Sequence, residues 1–330
     1  MGDSMMNLRE ACLWFYLHET KINGTYTGGE LLSVIRTYGS LQELKERRSR
    51  NLLEDMSDNE SRRLSMILYE KLRHVSDDVL SKYEKAIEYL LQKETNVIHF
   101  SHDDYPPRLR SVEKPPLVIF HKGKLRKFDQ GQYVAVVGTR RGSHRAHQFA
   151  RELAKELAGR GYVIVSGLAR GIDTEAHCGA LDVHGKTVAV LPSPVDIIYP
   201  VENQELSIDI SASGALISEI SSFAYSKLHL AKYVFVNRNR LTSALSDAVV
   251  IVESGKDGGS MHQFIFAKQQ GRKVFVPQPP DPQRSAYTGY EILMKGGAVQ
   301  LHSAQDIIDF LERKDNEERA QRTGLDRYVR

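Results

Sequence analysis

Residues 133–173 read YVAVVGTRRGSHRAHQFARELAKELAGRGYVIVSGLARGID: a short apolar run, a glycine-led turn, a helix-length amphipathic stretch, a second apolar run and a second glycine-rich turn. Tyr133–Val137 and Tyr162–Val165 are strands by their length and their valine and isoleucine content, and His144–Gly159 between them is long enough for a helix. Strand, helix, strand in that order makes a parallel unit. The alternation continues downstream, with strands expected at Thr187–Leu191, Ala215–Ser218, Ala248–Val252, Lys273–Val276 and Ala298–Leu301. Helices are expected at Asp173–Val183, Glu202–Ser213, Arg238–Ser246 and Ser260–Gln269. The fold class is α/β, a doubly wound and mostly parallel sheet covered on both faces.

Upstream the texture differs. To about Lys93 the pattern is helical: Leu8, Cys12 and Phe15 recur at helical spacing, as do Leu31, Leu32 and Ile35, and Val79, Tyr83, Ile87, Leu90 and Leu91. Breaks are expected at Asn23-Gly24, Gly28-Gly29, Gly39-Ser40 and Ser76-Asp77. From Val97 to Lys124 the prolines at 106, 107, 115 and 116 bar regular helix, and Leu117–Phe120 reads as a short strand. From Glu312 the tail mixes both charges with few apolar residues and is expected to fray or to be disordered. The expected division is a small helical domain at 1–95, a connector at 96–124, the α/β domain at 125–311 and a charged tail at 312–330. A chain starting near Val97 is expected to fold without the helices.

With 330 residues, 41% hydrophobic and 26% charged, the chain has room for a core and an appendage. Lys plus Arg is 45 against 42 for Asp plus Glu, and a net +3 argues no nucleic-acid binding by itself; a basic site must be local. No run approaches the ~18 apolar residues of a membrane span, and the N-terminus lacks a secretory pattern, so a cytoplasmic protein with no membrane partner is expected. Cys12 and Cys178 alone make neither a disulfide framework nor a zinc site.

In an open α/β sheet, ligands bind beyond the carboxyl ends of the strands, where helix N-termini favour anions. Gly138-Thr139-Arg140-Arg141-Gly142-Ser143 follows the first strand, but it is not G-x-G-x-x-G, and Ser166 stands where an acid would hold a ribose. That excludes a nicotinamide-dependent dehydrogenase. Gly185-Lys186-Thr187 imitates the end of a P-loop, yet Gly179 lies one residue too far back and Thr187 opens a strand. The second junction, Ser166-Gly167-Leu168-Ala169-Arg170-Gly171, lets a backbone or phosphate come close, and Asp173 can cap the next helix. The third carries Pro192, Pro194 and Tyr199-Pro200.

In the fourth cluster, Lys232 to Arg240, cations stand beside aromatic faces, the combination that grips phosphate and stacks bases of single strands. Taken alone it reads more readily as a helix with Tyr233, Phe235 and Val236 in the core and its arginines in water. The fifth junction, Ser254 to Ser260, is a candidate anion nest. On one sheet edge, Arg140, Arg170, Lys232, Arg238, Arg240 and Lys256 would converge into a strong local field. No Ser-His-Asp order, carboxylate pair or metal-ligand cluster is present, so no catalytic residue is assigned and no enzyme is expected. His177 and Cys178 read as structural, and His144 and His147 as a solvated helix face.

The ordered set VVGTRR (136–141), SGLARGIDTEAH (166–177), VNRNRLTSALSDAVVIVES (236–254), GGS (258–260) and GRKVFVPQ (271–278) resembles the DprA family of DNA-processing proteins, also called Smf. DDYPPRL (103–109), KPPLVIFHKG (114–123) and GGAVQL (296–301) extend the likeness over about Asp103 to Leu301. IRTYGSLQEL (35–44) is similar to the SAM-like or helix-hairpin-helix-like N-terminal domain of many members. The resemblance implies an extended Rossmann-like domain without a cofactor, which binds single-stranded DNA, forms a homodimer and delivers the strand to the RecA recombinase in natural transformation. It implies DNA contact by Arg140 and by Lys232 with Phe235. The candidate DNA-binding set is Gly138, Thr139, Arg140, Ser166, Gly167, Arg170, Gly171, Lys232, Phe235, Arg238, Asn239, Arg240, Gly258, Gly259 and Ser260. Ser193-Pro194, His262 and Pro277-Gln278-Pro279 depart from the family pattern. The alternative is a Rossmann-like domain that senses or processes nucleotides. Its hydrolase branch shows P-G-G-x-G-T-x-x-E, whereas Gly258-Gly259 here precedes Ser260-Met261-His262-Gln263 with no glutamate.

Overall fold

The structure, a computed structural model, describes residues 2–22, 26–47, 56, 58–124, 131–223, 232–279, 281 and 285–325; side chains at 2–7, 232, 285, 287 and 318–325 lie outside the description. In chain order the elements begin α1 (Gly2–Thr20), α2 (Gly28–Tyr38), α3 (Leu41–Glu46), α4 (Asn59–Leu72), α5 (Asp77–Gln92), β1 (Asn96–His99), α6 (Pro107–Arg110) and β2 (Val118–Gly123). There follow β3 (Tyr133–Val137), α7 (His144–Gly159), β4 (Val163–Ser166), α8 (Ile172–Leu181), β5 (Thr187–Val190), α9 (Gln204–Ser213) and β6 (Ala215–Ser218). The last are α10 (Lys232–Leu245), β7 (Ala248–Ile251), α11 (Gly259–Gln269), β8 (Lys273–Pro277), α12 (Ser285–Lys295), β9 (Val299–Leu301) and α13 (Ala304–Leu325). None of the described helices is long and apolar enough to cross a membrane.

Two compact units share the chain, one from Met1–Asp129, Leu191–Ile198 and Leu216–Ala231, the other from Gln130–Val190, Tyr199–Ala215 and Lys232–Arg330. In the first, β1 and β2 run antiparallel, with His99 opposite Val118 and Asn96 opposite His121. The helices bury Leu31, Val34, Leu41, Leu44, Leu64, Leu68 and Leu72 among themselves and also pack on the two strands. Trp14 is fully buried, lies parallel to the His99 ring at 6.1 Å and meets Phe100 at 5.9 Å, while Phe15 meets Phe120 edge-on at 5.3 Å. The buried Glu10 carboxylate accepts the Trp14 Nε1 proton at 2.8 Å and caps α3 through the amides of Leu41 and Gln42 at 2.9 and 3.1 Å. The expected break at Gly28-Gly29 coincides with the start of α2. Thr27 and Glu30 form a reciprocal capping box, and the glycines open α2. Of the other expected breaks, Asn23-Gly24 lies outside the described residues, while Ser40 and Ser76 cap α3 and α5.

The second unit holds six strands in the order β5-β4-β3-β7-β8-β9, each pair parallel. The chain moves outward from β3 in one direction and then from β7 in the other, so the order reverses between β3 and β7, and carboxyl-end loops diverge there. Val134, Val136, Ile164 and Val250 pack with Ala150, Leu153 and Leu157 of α7 and with Ile307 and Leu311 of α13. The expected strands hold to within a residue at nearly every end. Three helices differ. The α10 helix begins at Lys232, six residues before the expected start, α12 lies where the sequence marks no element, and the four-residue α6 forms after Pro106, with proline tolerated in its first turn. Beyond Glu312 the chain stays helical as the end of α13.

Candidate functional site

The first two carboxyl-end loops of the second unit are stitched together before any ligand is considered. The Thr139 amide donates to the Glu253 carbonyl at 2.8 Å, and the Ile172 amide donates to the Thr139 carbonyl at 3.4 Å. Ser143 caps α7 by accepting from the Ala146 amide at 3.2 Å, and its own amide and hydroxyl both donate to Glu253 Oε2, at 3.1 and 2.8 Å. Glu253 is buried at the end of β7, so it ties the loop Gly138–Ser143 to the neighbouring strand. Asn203 ties the second loop to the turn before α9, donating to Leu168 O at 2.9 Å and to Thr174 Oγ1 at 3.0 Å. Ser166 is buried and donates to Val136 O at 2.7 Å, so it serves the strand end rather than the open edge. Gly171 caps α8, and Arg170 beside it is exposed and ion-paired with the exposed Glu202.

Arg140 projects from the first loop into solvent, and its guanidinium lies over the Phe235 ring, 5.0 Å from the centroid. Phe235 is partly buried on α10 and meets Tyr199 edge to face at 5.9 Å and 67°. Tyr199 is 39% exposed, which makes it an aromatic that the sequence marks only as part of a rigid turn. On the same helix Val234 enters the core and Tyr233 faces out, so the expected core trio of Tyr233, Phe235 and Val236 does not form. Lys232 opens α10, and its side chain lies outside the described residues. Further along, Asn239 Nδ2 donates to the Gly259 carbonyl at 3.2 Å and the Arg240 carbonyl accepts from Gln270 at 3.0 Å, fixing α10 to α11. The α11 helix starts from Gly258 with no side-chain cap, and the Ser260 hydroxyl donates to Ser254 Oγ at 2.8 Å. Its first turn therefore offers the positive end of a helix dipole. Lys256 in the preceding loop is exposed.

Arg238 corrects the sequence reading. It is 8% exposed, turned inward, and donates from Nη1 to Val190 O at 3.0 Å, with Asp173 Oδ2 at 4.0 Å. A Cβ on Gly167 would stand 1.3 Å from that Nη1, so the guanidinium in this position occupies the space a side chain there would need. Asp173 is buried too. Burial pushes its carboxyl above the usual range, against the opposing pull of Arg238 and of the amides of Ala169, Gly138 and Gly167, the last at 3.2 Å. His177 on the same helix is fully buried with Nδ1 2.7 Å from Thr187 Oγ1, and burial pushes it down to about 3.

The edge therefore brings together Arg140, Phe235, Asn239, Gly258, Gly259 and Ser260 with Tyr199, and it withdraws Arg238 and Ser166. Glu253, Asp173 and Asn203, which hold the loops, carry no ligand signal in the sequence, since each reads as a strand-end or cap residue. The arrangement can hold an anion against backbone amides and a flat apolar group beside a cation. Among the described residues no group of three or more His, Cys, Asp or Glu is placed to hold a metal ion.

The chain matches the model of the family described as DNA recombination-mediator protein A over residues 96–312. It is 32% identical over 245 residues to DNA processing protein DprA of Bacillus subtilis, covering 74% of this chain and 80% of that protein. It is 36% identical over 231 residues to the Smf protein of Escherichia coli and spans 60% of that protein's length. The X-ray structure of DNA processing protein A from Streptococcus pneumoniae superposes with a TM-score of 0.68 at 25% identity, over 90% of this chain and 97% of that one. The structure of DNA processing protein A from Helicobacter pylori, solved for that protein's single-stranded DNA binding mode, gives a TM-score of 0.59 at 31% identity over 67% of this chain and 97% of that one. Order of motifs, parallel-sheet topology and these likenesses agree, and the chain belongs to the DNA recombination-mediator protein A family.

Proposed function

We propose that this protein binds single-stranded DNA along the carboxyl edge of its parallel sheet and passes the strand to the RecA recombinase, acting as a homodimer and without catalysing a reaction. The observation that carries the reading is Arg140 lying over Phe235 with Tyr199 at the ring's edge, on loops whose amides favour phosphate. An unpaired base has a free face for the aromatic pair, whereas a base inside a duplex is stacked on both sides. The known single-strand binding of the Helicobacter pylori relative supports the same substrate class.

The test compares the purified protein on a single strand and on a duplex of equal length. Tighter binding to the single strand is expected, with affinity falling as salt rises by about 0.7 logarithmic units per phosphate contact for each tenfold increase. Equal affinity for both forms, or a flat salt response, overturns the reading. Faster nucleation of RecA filaments on strands precoated with this protein is expected for the delivery step, and no acceleration removes that step.

A further inference from the structure

The buried stripe of α10 is Val234, Arg238, Leu241 and Leu245, positions that recur at helical spacing and are all under 9% exposed. A guanidinium in such a stripe is costly, because taking a charge out of water is repaid only by good partners, and apolar replacement of a buried ion pair is often neutral or stabilising. Arg238 has partners on three elements. Nη1 reaches Val190 O at the end of β5, Asp173 at the start of α8 answers its charge, and the guanidinium fills the space above Gly167. Its Nε has no hydrogen-bond acceptor, so the residue is not placed to maximise its bonding. Asp173 in turn gathers amides from both glycine loops, Gly138 from the first and Gly167 and Ala169 from the second.

From this we infer that Arg238 and Asp173 are positioning residues for the open edge: together they lock the helix carrying Phe235 to the two glycine loops, and neither touches the bound strand. The inference rests on the strand-binding reading of that edge. The lock explains the placement of the exposed pair. Arg238 fixes the rotation of α10, and Phe235, three residues earlier and on the adjoining face, is thereby presented to Arg140 and Tyr199. Asp173 fixes the loop from which Arg140 projects.

The test uses the full chain with Arg238→Met, Asp173→Asn, the double variant, and Arg140→Ala as the contact-residue control. Affinity for an oligothymidylate strand, its salt dependence, and the melting temperature are measured together. Arg140→Ala should lower the salt slope by about 0.7, because one phosphate contact is lost. Arg238→Met should lose affinity tenfold or more with the slope unchanged. The double variant removes the unpaired charge that each single variant leaves, so melting temperature should recover while affinity does not. Recovery of affinity in step with melting temperature shows a merely structural pair and overturns the inference; so does a lowered slope in Arg238→Met, which marks a direct contact. Should Arg238→Met not fold, Arg238→Lys keeps the charge without the fork and should show the same loss. Hydrogen exchange at the Gly138, Gly167 and Ala169 amides reads the lock with no strand present. Faster exchange in Arg238→Lys is expected, unchanged exchange overturns the lock, and failure of the parent to bind any strand overturns only the reading of the edge.

Discussion

The guanidinium of Arg140 covers the ring of Phe235 at 5.0 Å. A base that stacks on that ring and a phosphate that attracts that guanidinium therefore act in concert, because moving the cation to the phosphate uncovers the ring for the base. An exposed cation–π contact is worth about 0.5–1 kcal/mol, less than the roughly 1–3 kcal/mol of one base stacked on an aromatic side chain, so the exchange is favourable.

Arg140→Ala should weaken binding to a single strand several-fold, while the melting temperature stays within what about 0.5–1 kcal/mol produces, since the side chain is exposed. Fluorescence anisotropy with a labelled strand and a thermal scan of the same samples check both halves. Parent-like affinity assigns the strand to another surface.

Phe235→Leu keeps an apolar side chain but removes the flat face. With stacking worth about 1.4 kcal/mol or more, affinity should fall about tenfold, at nearly unchanged melting temperature. The opposite pattern, lower melting with unaltered binding, places the ring in the core.

Acid should destabilise the protein earlier than its carboxylates alone imply. Burial holds His99 and His177 down to about 3 and His121 down to about 4. In the unfolded chain each imidazole titrates near 6.5, so below that pH the unfolded state binds protons that the folded state refuses. The stability these groups contribute is present above about pH 6.5 and is lost as pH falls, at up to about 1.4 kcal/mol per pH unit for each. Glu10 and Asp173, raised by burial, act the other way over the range just above their ordinary values. Melting should be flat from pH 8 to 7 and fall steeply between 6 and 5; a constant melting temperature down to pH 5 contradicts the burial of the three rings.

A chain beginning at Val97 loses the packing of Trp14 and Phe15 on His99, Phe100 and Phe120. Against the expectation from sequence that such a chain folds alone, it should bind a hydrophobic dye and aggregate where the full chain does not, because that packing is lost. A monodisperse, dye-free fragment shows that β1 and β2 need no helical cover.

The parallel strands are legible in the sequence because burial on both faces leaves continuous Val, Ile and Ala runs. The start of α10 is not, for one residue: Arg238 occupies a core position, and the stripe through Val234 and Leu241 looks interrupted until that arginine is known to be buried. The α12 helix is hidden by Gly289, a poor helix former, which is required because a Cβ there would lie 1.8 Å from Ser254 O. At the candidate site, exposed charge and aromaticity are readable at Arg140 and Phe235. The work of Glu253, Asp173 and Asn203 is not, because each answers a backbone group that only the folded chain brings near.

The division of the chain also sets an order of manufacture. The first unit closes with the Leu191 amide bonded to the Ile217 carbonyl at 2.8 Å, and its third segment ends at Ala231. A ribosome making this protein must therefore deliver β3, α7, β4, α8, β5 and α9 before the N-terminal unit has all its parts. The earliest-synthesised half waits, unfinished, for sequence that lies beyond much of the other unit. No single cut of the gene yields either unit whole.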